Sequence, residues 1–148
     1  FEAGKDLNVR AGCPSAAERI EAGLLSYGND MTRENTPHEC GLGKFCNTQT
    51  AIGCMGRDAL LRVAKDGPIR QIRAIEIQGR QPACDRAWPI VAKGQKIGQV
   101  TSAAWSPDFE CTVCIGMVRM THWDPETVLQ IETSEGTVEG VVREEFWI

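Results

Sequence analysis

Apolar and polar positions follow two different rhythms along this chain, and they change near Pro68. In the first half the spacing is helical. Ala17, Ile20, Glu21 and Leu24 fall at i, i+3, i+4 and i+7, on one face of a helix. Ser15 followed three residues later by Glu18 is a capping box, so the helix is expected to begin at Ser15. Gly28, after Tyr27, is the expected stop, because glycine takes the left-handed conformation that ends helices. A second helix of two to three turns is expected over Ala59 to Lys65, stopped by Asp66-Gly67-Pro68. Phe1 to Gly4 reads as the tail of a helix, Val9 to Gly12 as a short strand or turn, Asn29 to His38 as a loop, and Glu39 to Phe45 as a short extended segment.

Beyond Pro68 the alternation shortens to two. Strands are expected over Ile69 to Ile77, Trp88 to Val91, Lys96 to Ala104, Cys111 to Met120, Val128 to Thr133 and Thr137 to Val142. Ala92-Lys93-Gly94-Gln95 and Ser134-Glu135-Gly136 supply hairpin turns, and Trp105-Ser106-Pro107-Asp108 is expected to break a strand. Short strands at this spacing predict a closed antiparallel barrel or a sandwich. The fold class is therefore α+β, mainly β, with residues 1–66 forming one part and 67–148 the barrel.

Composition adds boundaries rather than detail. The chain has 148 residues, 42% hydrophobic and 24% charged, as ordinary globular domains do. A net charge of −4 argues against nucleic acid and anionic membrane as partners, and no apolar run approaches a membrane span. The first residue is Phe, so a preceding N-terminal segment is expected. Seven cysteines, an odd number without regular spacing, do not read as a disulfide framework; free thiols and a cytoplasmic location are expected.

Several residues invite chemistry. Glu21 on an apolar stripe is either at the stripe's edge with its head in water, or a buried carboxylate beside a ligand pocket. Cys111-x-x-Cys114 suggests zinc or redox chemistry, but residues i and i+3 of a strand face opposite sides, and no second ligand pair lies nearby. No metal is expected. His38-Glu39-Cys40 with Cys46, and His122, are weighed as a metal or nucleophile set and a general base, against loop and core packing. Trp88, Trp105, Trp123 and Trp147 offer aromatic faces to a cation, against core or rim packing, and Trp123 is expected to cover the barrel. Tyr27 is the sole tyrosine, either packed with its hydroxyl paired or lining a pocket.

Three sets of motifs carry a family resemblance: Arg19-x-Glu21-Ala22-Gly23-Leu24 with Tyr27-Gly28-Asn29-Asp30 and Glu39-x-Gly41-Leu42-Gly43; Ile52-Gly53 with Gly56-Arg57-Asp58-Ala59-Leu60-Leu61; and Ile97-Gly98-Gln99-Val100-Thr101-Ser102 with Ser106-Pro107. In their order and spacing they resemble the glycine-cleavage T-protein (aminomethyltransferase) family across nearly the whole chain. Within it, Ala11-Gly12-Cys13-Pro14, Leu25 to Asp30 and Thr121-His122-Trp123 are most similar to the dimethylsulfoniopropionate demethylases. The resemblance implies the end of a folate-binding domain followed by a barrel, with tetrahydrofolate as cofactor. It implies methyl transfer from dimethylsulfoniopropionate or a related small molecule, and Glu21, Leu24 and Tyr27 as cofactor-binding residues. It also implies catalytic residues upstream of Phe1, so none is assigned here. The chain alone is then expected to be inert, partnered by the missing N-terminal portion of the same protein, with a homodimer among the expected assemblies. One departure stands out: the family's folate-tail arginine falls at Ser15. Glycine-cleavage aminomethyl transfer and a non-catalytic barrel that only binds partners are the alternatives.

Overall fold

A computed structural model describes residues 2–7, 14–47, 53 and 55–148. The expectations for Val9 to Gly12, Cys13, Ile52 and Cys54 lie outside the described residues. Six antiparallel strands close into a barrel: β1 (Arg70–Gln78), β2 (Trp88–Ala92), β3 (Gln95–Ser106), β4 (Cys111–Arg119), β5 (Val128–Thr133) and β6 (Gly136–Val142), in the spatial order β1-β4-β3-β2-β5-β6 with β6 returning to β1. Closure leaves no unpaired sheet edge.

The interior is built by alternation. Ile75 and Ile77 of β1, Cys114 and Val118 of β4, and Leu129, Ile131 and Val142 of the last hairpin fill it with Trp88, Ile90, Ile97 and Val100. Bulky β-branched side chains need room at this diameter, and two inward glycines provide it. A Cβ on Gly116 would sit 2.6 Å from Cδ1 of Ile75, and one on Gly140 2.6 Å from Cδ1 of Ile131. The Arg73 guanidinium lies 5.1 Å from the Trp123 ring and donates to its carbonyl at 2.9 Å, and Trp123, half-buried, packs against the barrel core as expected.

The opposite face of β4 is also apolar, which is why every residue from Cys111 to Val118 is buried. Cys111, Val113, Ile115 and Met117 point outward and pack with Ile72 under Ile20. Ile20 belongs to α1 (Ala16–Glu21), and Leu25, Phe146 and Trp147 complete the cover. The C-terminal tail is pinned there by Trp147 and Ile148 amides donating to the Glu21 carbonyl at 2.9 and 3.2 Å.

Four local expectations change. Helix α1 stops at Glu21, not at Tyr27. The stop is Gly23, at φ +65°: its amide donates to the Ile20 carbonyl, and the Leu24 amide reaches back to the Arg19 carbonyl at 2.9 Å. Those two bonds are the Schellman arrangement, so the first available glycine ended the helix. Glu39 to Phe45 is a turn and a 3₁₀ helix (Gly43–Phe45) instead of an extended segment. Thr36 and Glu39 form a second reciprocal cap, with the Glu39 amide on Thr36 Oγ1 at 3.2 Å and the Thr36 amide on Glu39 Oε2 at 2.9 Å. Finally, β3 runs through Trp105 to Ser106, where the Ser106 hydroxyl accepts the Phe109 amide. The opening segment is a 3₁₀ helix (Glu2–Leu7) that passes through Gly4.

The second helix, α2 (Arg57–Asp66), spans the expected residues and buries none of them.

Candidate functional site

Among the described residues the most heavily bonded carboxylate is Asp30, in the loop after α1. Its side chain is fully shielded from solvent. Oδ2 accepts from Arg19 Nη1 at 2.8 Å and from the Ser26 amide at 2.8 Å. Oδ1 accepts the hydroxyls of Thr101 and Ser102, each at 2.6 Å. Arg19 also donates to the Leu24 carbonyl at 2.7 Å and to Ser102 Oγ at 2.8 Å, and Asn29 Nδ2 joins the Thr101 carbonyl and Ser102 Oγ at 2.9 Å. Burial pushes the Asp30 carboxyl up, but hydrogen bonds from Ser102, Thr101, Ser26 and Arg19 outweigh it and hold the group below its ordinary value. A buried charge with this many donors is satisfied, and it ties the loop to β3.

The three residues expected at a cofactor site lie around that anchor. Glu21 ends α1 and is 5% exposed, so it does not sit at the stripe's edge with its head in water. Leu24 and Tyr27 follow the Gly23 turn and project outward, 54% and 67% exposed. They share one short segment, but none of them lines the cleft described next. Ser15, at the position of the departure, caps α1: its hydroxyl accepts the Glu18 amide at 3.2 Å, and Glu18 Oε2 accepts the Ser15 amide at 2.5 Å.

A cleft of about 510 Å³ opens between residues 29–35 and the strand ends around Arg70, Lys96–Gln99 and Met117–Arg119. That volume lies within the range of small-molecule sites.

The thiols are placed for packing. Cys111 sits on the outer face of β4 and Cys114 in the barrel interior, the opposite sides that strand geometry requires. Burial pushes Cys40, Cys111 and Cys114 above the ordinary thiol value and Cys84 up to about 11, with Asp30 and Asp85 adding to the last. Such thiols stay protonated near neutrality and are poor nucleophiles. His38 Nε2 is buried without a hydrogen-bond partner, and His122 Nδ1 lies 2.8 Å from Thr121 Oγ1. Among the described residues no group of three or more His, Cys, Asp or Glu side chains is arranged to hold a metal ion.

The tryptophans divide by role. Trp88 is core, at 4% exposure. The rings of Trp105, Trp123 and Trp147 already carry this chain's own cations, Arg80 at 5.4 Å, Arg73 at 5.1 Å and Arg143 at 4.8 Å.

Arg19, Asp30, Thr101 and Ser102 stand inside the family motifs, but their meeting is not readable from spacing. Asp30 and Thr101 are 71 positions apart. The Thr36-x-x-Glu39 cap carries the same signature as Ser15-x-x-Glu18 and was open to the same reading.

Comparison with known proteins bears on the whole arrangement. Residues 70–147 match the glycine cleavage T-protein C-terminal barrel domain. Over 147 residues the chain is 58% identical to dimethylsulfoniopropionate demethylase DmdA of Ruegeria pomeroyi, covering 99% of this chain and 40% of that protein. An aminomethyltransferase of Parasynechococcus marenigrum is 36% identical over 100 residues, 68% of this chain and 27% of that one. The crystal structure of the glycine cleavage system aminomethyltransferase T from Bartonella henselae superposes with a TM-score of 0.80 at 28% identity, over 90% of this chain and 37% of that chain. The chain thus spans about two fifths or less of the length of these relatives.

Proposed function

The chain belongs to the glycine cleavage T-protein family, and from that premise we propose that it is the C-terminal part of a tetrahydrofolate-dependent methyltransferase whose substrate is dimethylsulfoniopropionate. The observation that carries the substrate is the 58% identity to a dimethylsulfoniopropionate demethylase, held over 99% of the chain. The aminomethyltransferase likeness is lower and covers 68%.

In this reading residues 1–66 complete a folate-binding unit and 67–148 form the barrel that supports it. Leu24 and Tyr27 turn apolar and aromatic surface outward from a loop that Asp30 holds still, which suits contact with the flat rings of a folate. Glu21 backs that wall from a buried position. Tetrahydrofolate, when bound, supplies the nitrogen that accepts the methyl group. The chain's own contribution is positioning and exclusion of water, the two things that methyl transfer from a good leaving group chiefly needs. The free thiols are consistent with a cytoplasmic location. Among the described residues no helix is long and apolar enough to cross a membrane.

The test is the complete protein that carries this sequence, assayed with tetrahydrofolate and either dimethylsulfoniopropionate or an aminomethyl donor. Methyl transfer from the sulfonium, with Tyr27→Ala raising KM for folate, supports the proposal. Turnover with the aminomethyl donor alone selects the second reading. Full activity from the 148 residues by themselves would show that the folate pocket does not depend on an upstream portion.

A further inference from the structure

We propose that the 510 Å³ cleft is a binding site for a small oxyanion-bearing ligand, one with carboxylate or phosphate groups, separate from the Leu24–Tyr27 surface. The argument begins with strand register. Arg70 of β1 stands directly opposite Arg119 of β4. Like charges at directly opposed positions have Cβ atoms about 4.5–5.5 Å apart and destabilise a sheet unless something answers them. Only one of the two is answered from within. Arg70 Nε pairs with Glu39 Oε1 at 2.8 Å, and its Nη2 donates to the Glu34 carbonyl at 3.3 Å. Arg119 makes no ion pair among the described residues.

A third cation faces the same space. Lys96, at the start of β3, donates to Gln99 Oε1 at 2.8 Å and likewise has no acidic partner among the described residues. Lys96, Arg70 and Arg119 therefore converge on one cleft in a chain whose net charge is −4. Neutral side chains of Asn35 and Gln99 line it as well. Two acids reach it. Asp30 is neutralised by Arg19, which leaves the Glu34 carboxylate as the acidic group opposing an anion. An oxyanion seated between Lys96 and Arg119 would answer the unpaired half of the cross-strand pair, and guanidinium recognises carboxylate and phosphate equally by its planar donor fork.

Leu24 and Tyr27, assigned to a folate in the preceding section, do not line this cleft. The inference therefore stands or falls without that reading.

The experiment titrates the protein with inorganic phosphate and, separately, with citrate at constant ionic strength, following backbone amide shifts at Gly98, Gln99 and Arg119 by NMR. Saturable binding of either probe is expected, phosphate saturation marking a phosphate ligand and citrate saturation a carboxylate ligand. Arg119→Gln should weaken it by about ten-fold, the loss of one charge-assisted contact. Lys96→Gln should weaken it in the same direction, Glu34→Gln should tighten it, and Arg80→Gln, on the Trp105 ring, should leave it unchanged. Shifts that grow linearly without saturation for both probes, or that are equal in the wild type and both cation variants, would overturn the proposal. Thermal unfolding of each variant separates a lost site from a lost fold.

Discussion

The barrel and helix α2 are both amphipathic, and they end in opposite conditions. Each strand of the barrel finds its partner within residues 70–142, so Ile75, Ile90, Ile131 and Val142 are wholly removed from water. Helix α2 has Leu60 and Val63 one turn apart, yet no residue of its ten is buried. The same hydrophobic patterning thus produces a core in one region and an only partly covered stripe in the other. Pattern specifies which face wants burial; only closure of the chain upon itself supplies the cover. The lesson concerns stability: it resides in the barrel and in what is bolted to it, and α2 contributes through whatever it meets.

That contrast can be tested by removing one apolar side chain from each region. Ile75→Ala empties space between Gly116 and Gly140 and should cost about 2–5 kcal/mol, read from urea midpoints. A value under 1 kcal/mol would mean that the barrel interior collapses around the loss.

The next effect belongs to the junction between the regions. Asp30→Asn removes the charge that Arg19 and two hydroxyls converge on, and should cost about 2–3 kcal/mol, moderated because Arg19 keeps a quarter of its side chain in water. The sign with pH follows from the lowered carboxyl. A group whose folded pKa lies below its unfolded one stabilises fully above the ordinary carboxylate range of about 4, and the contribution drains away as pH falls through the folded value. Wild type should therefore lose more stability than Asp30→Asn on acidification below pH 4 or so; parallel acid profiles would deny Asp30 its role.

The smallest effect is predicted for α2. Leu60→Ser should change the stability of the 148-residue chain by no more than about 0.5 kcal/mol, the range of surface positions. A cost comparable with Ile75→Ala would show that the helix is covered, by a second copy or by another part of the chain, and the loss should then depend on protein concentration if the cover is a copy.

How much of this was legible in the sequence follows the range of the interactions. Strand identities were, because alternation and the Lys93-Gly94 turn act over a few residues; Lys93 and Gly94 both adopt positive φ, as the hairpin demands. The end of α1 was misread because Leu24 extended the apolar stripe past Gly23, and a local backbone stop outranked periodicity. The position of Ser106 was misread for the complementary reason: Pro107 cannot continue a ladder, but it permits the strand to run up to its door. The Asp30 cluster and the Arg70–Arg119 opposition were illegible, since contacts 71 and 49 positions apart in sequence decide them. Gly116 and Gly140 carried no signal either; a glycine in a strand announces some close approach, not which isoleucine makes it.

The wide sequence separation within the Asp30 cluster has a temporal side. Helix α1 is six residues long, too short to persist alone in water. The groups that hold its loop, Thr101 and Ser102, lie on β3, and the surface that receives Ile20 is on β4. During synthesis α1 and the loop through Asp30 therefore precede the hydroxyls that hold Asp30, which lie 71 and 72 positions further on. The hairpins of the barrel close over short loops, whereas docking of α1 spans the longest separations in the molecule, so it belongs to the late steps of folding. The chain is thus synthesised from one end and assembled toward it from the other.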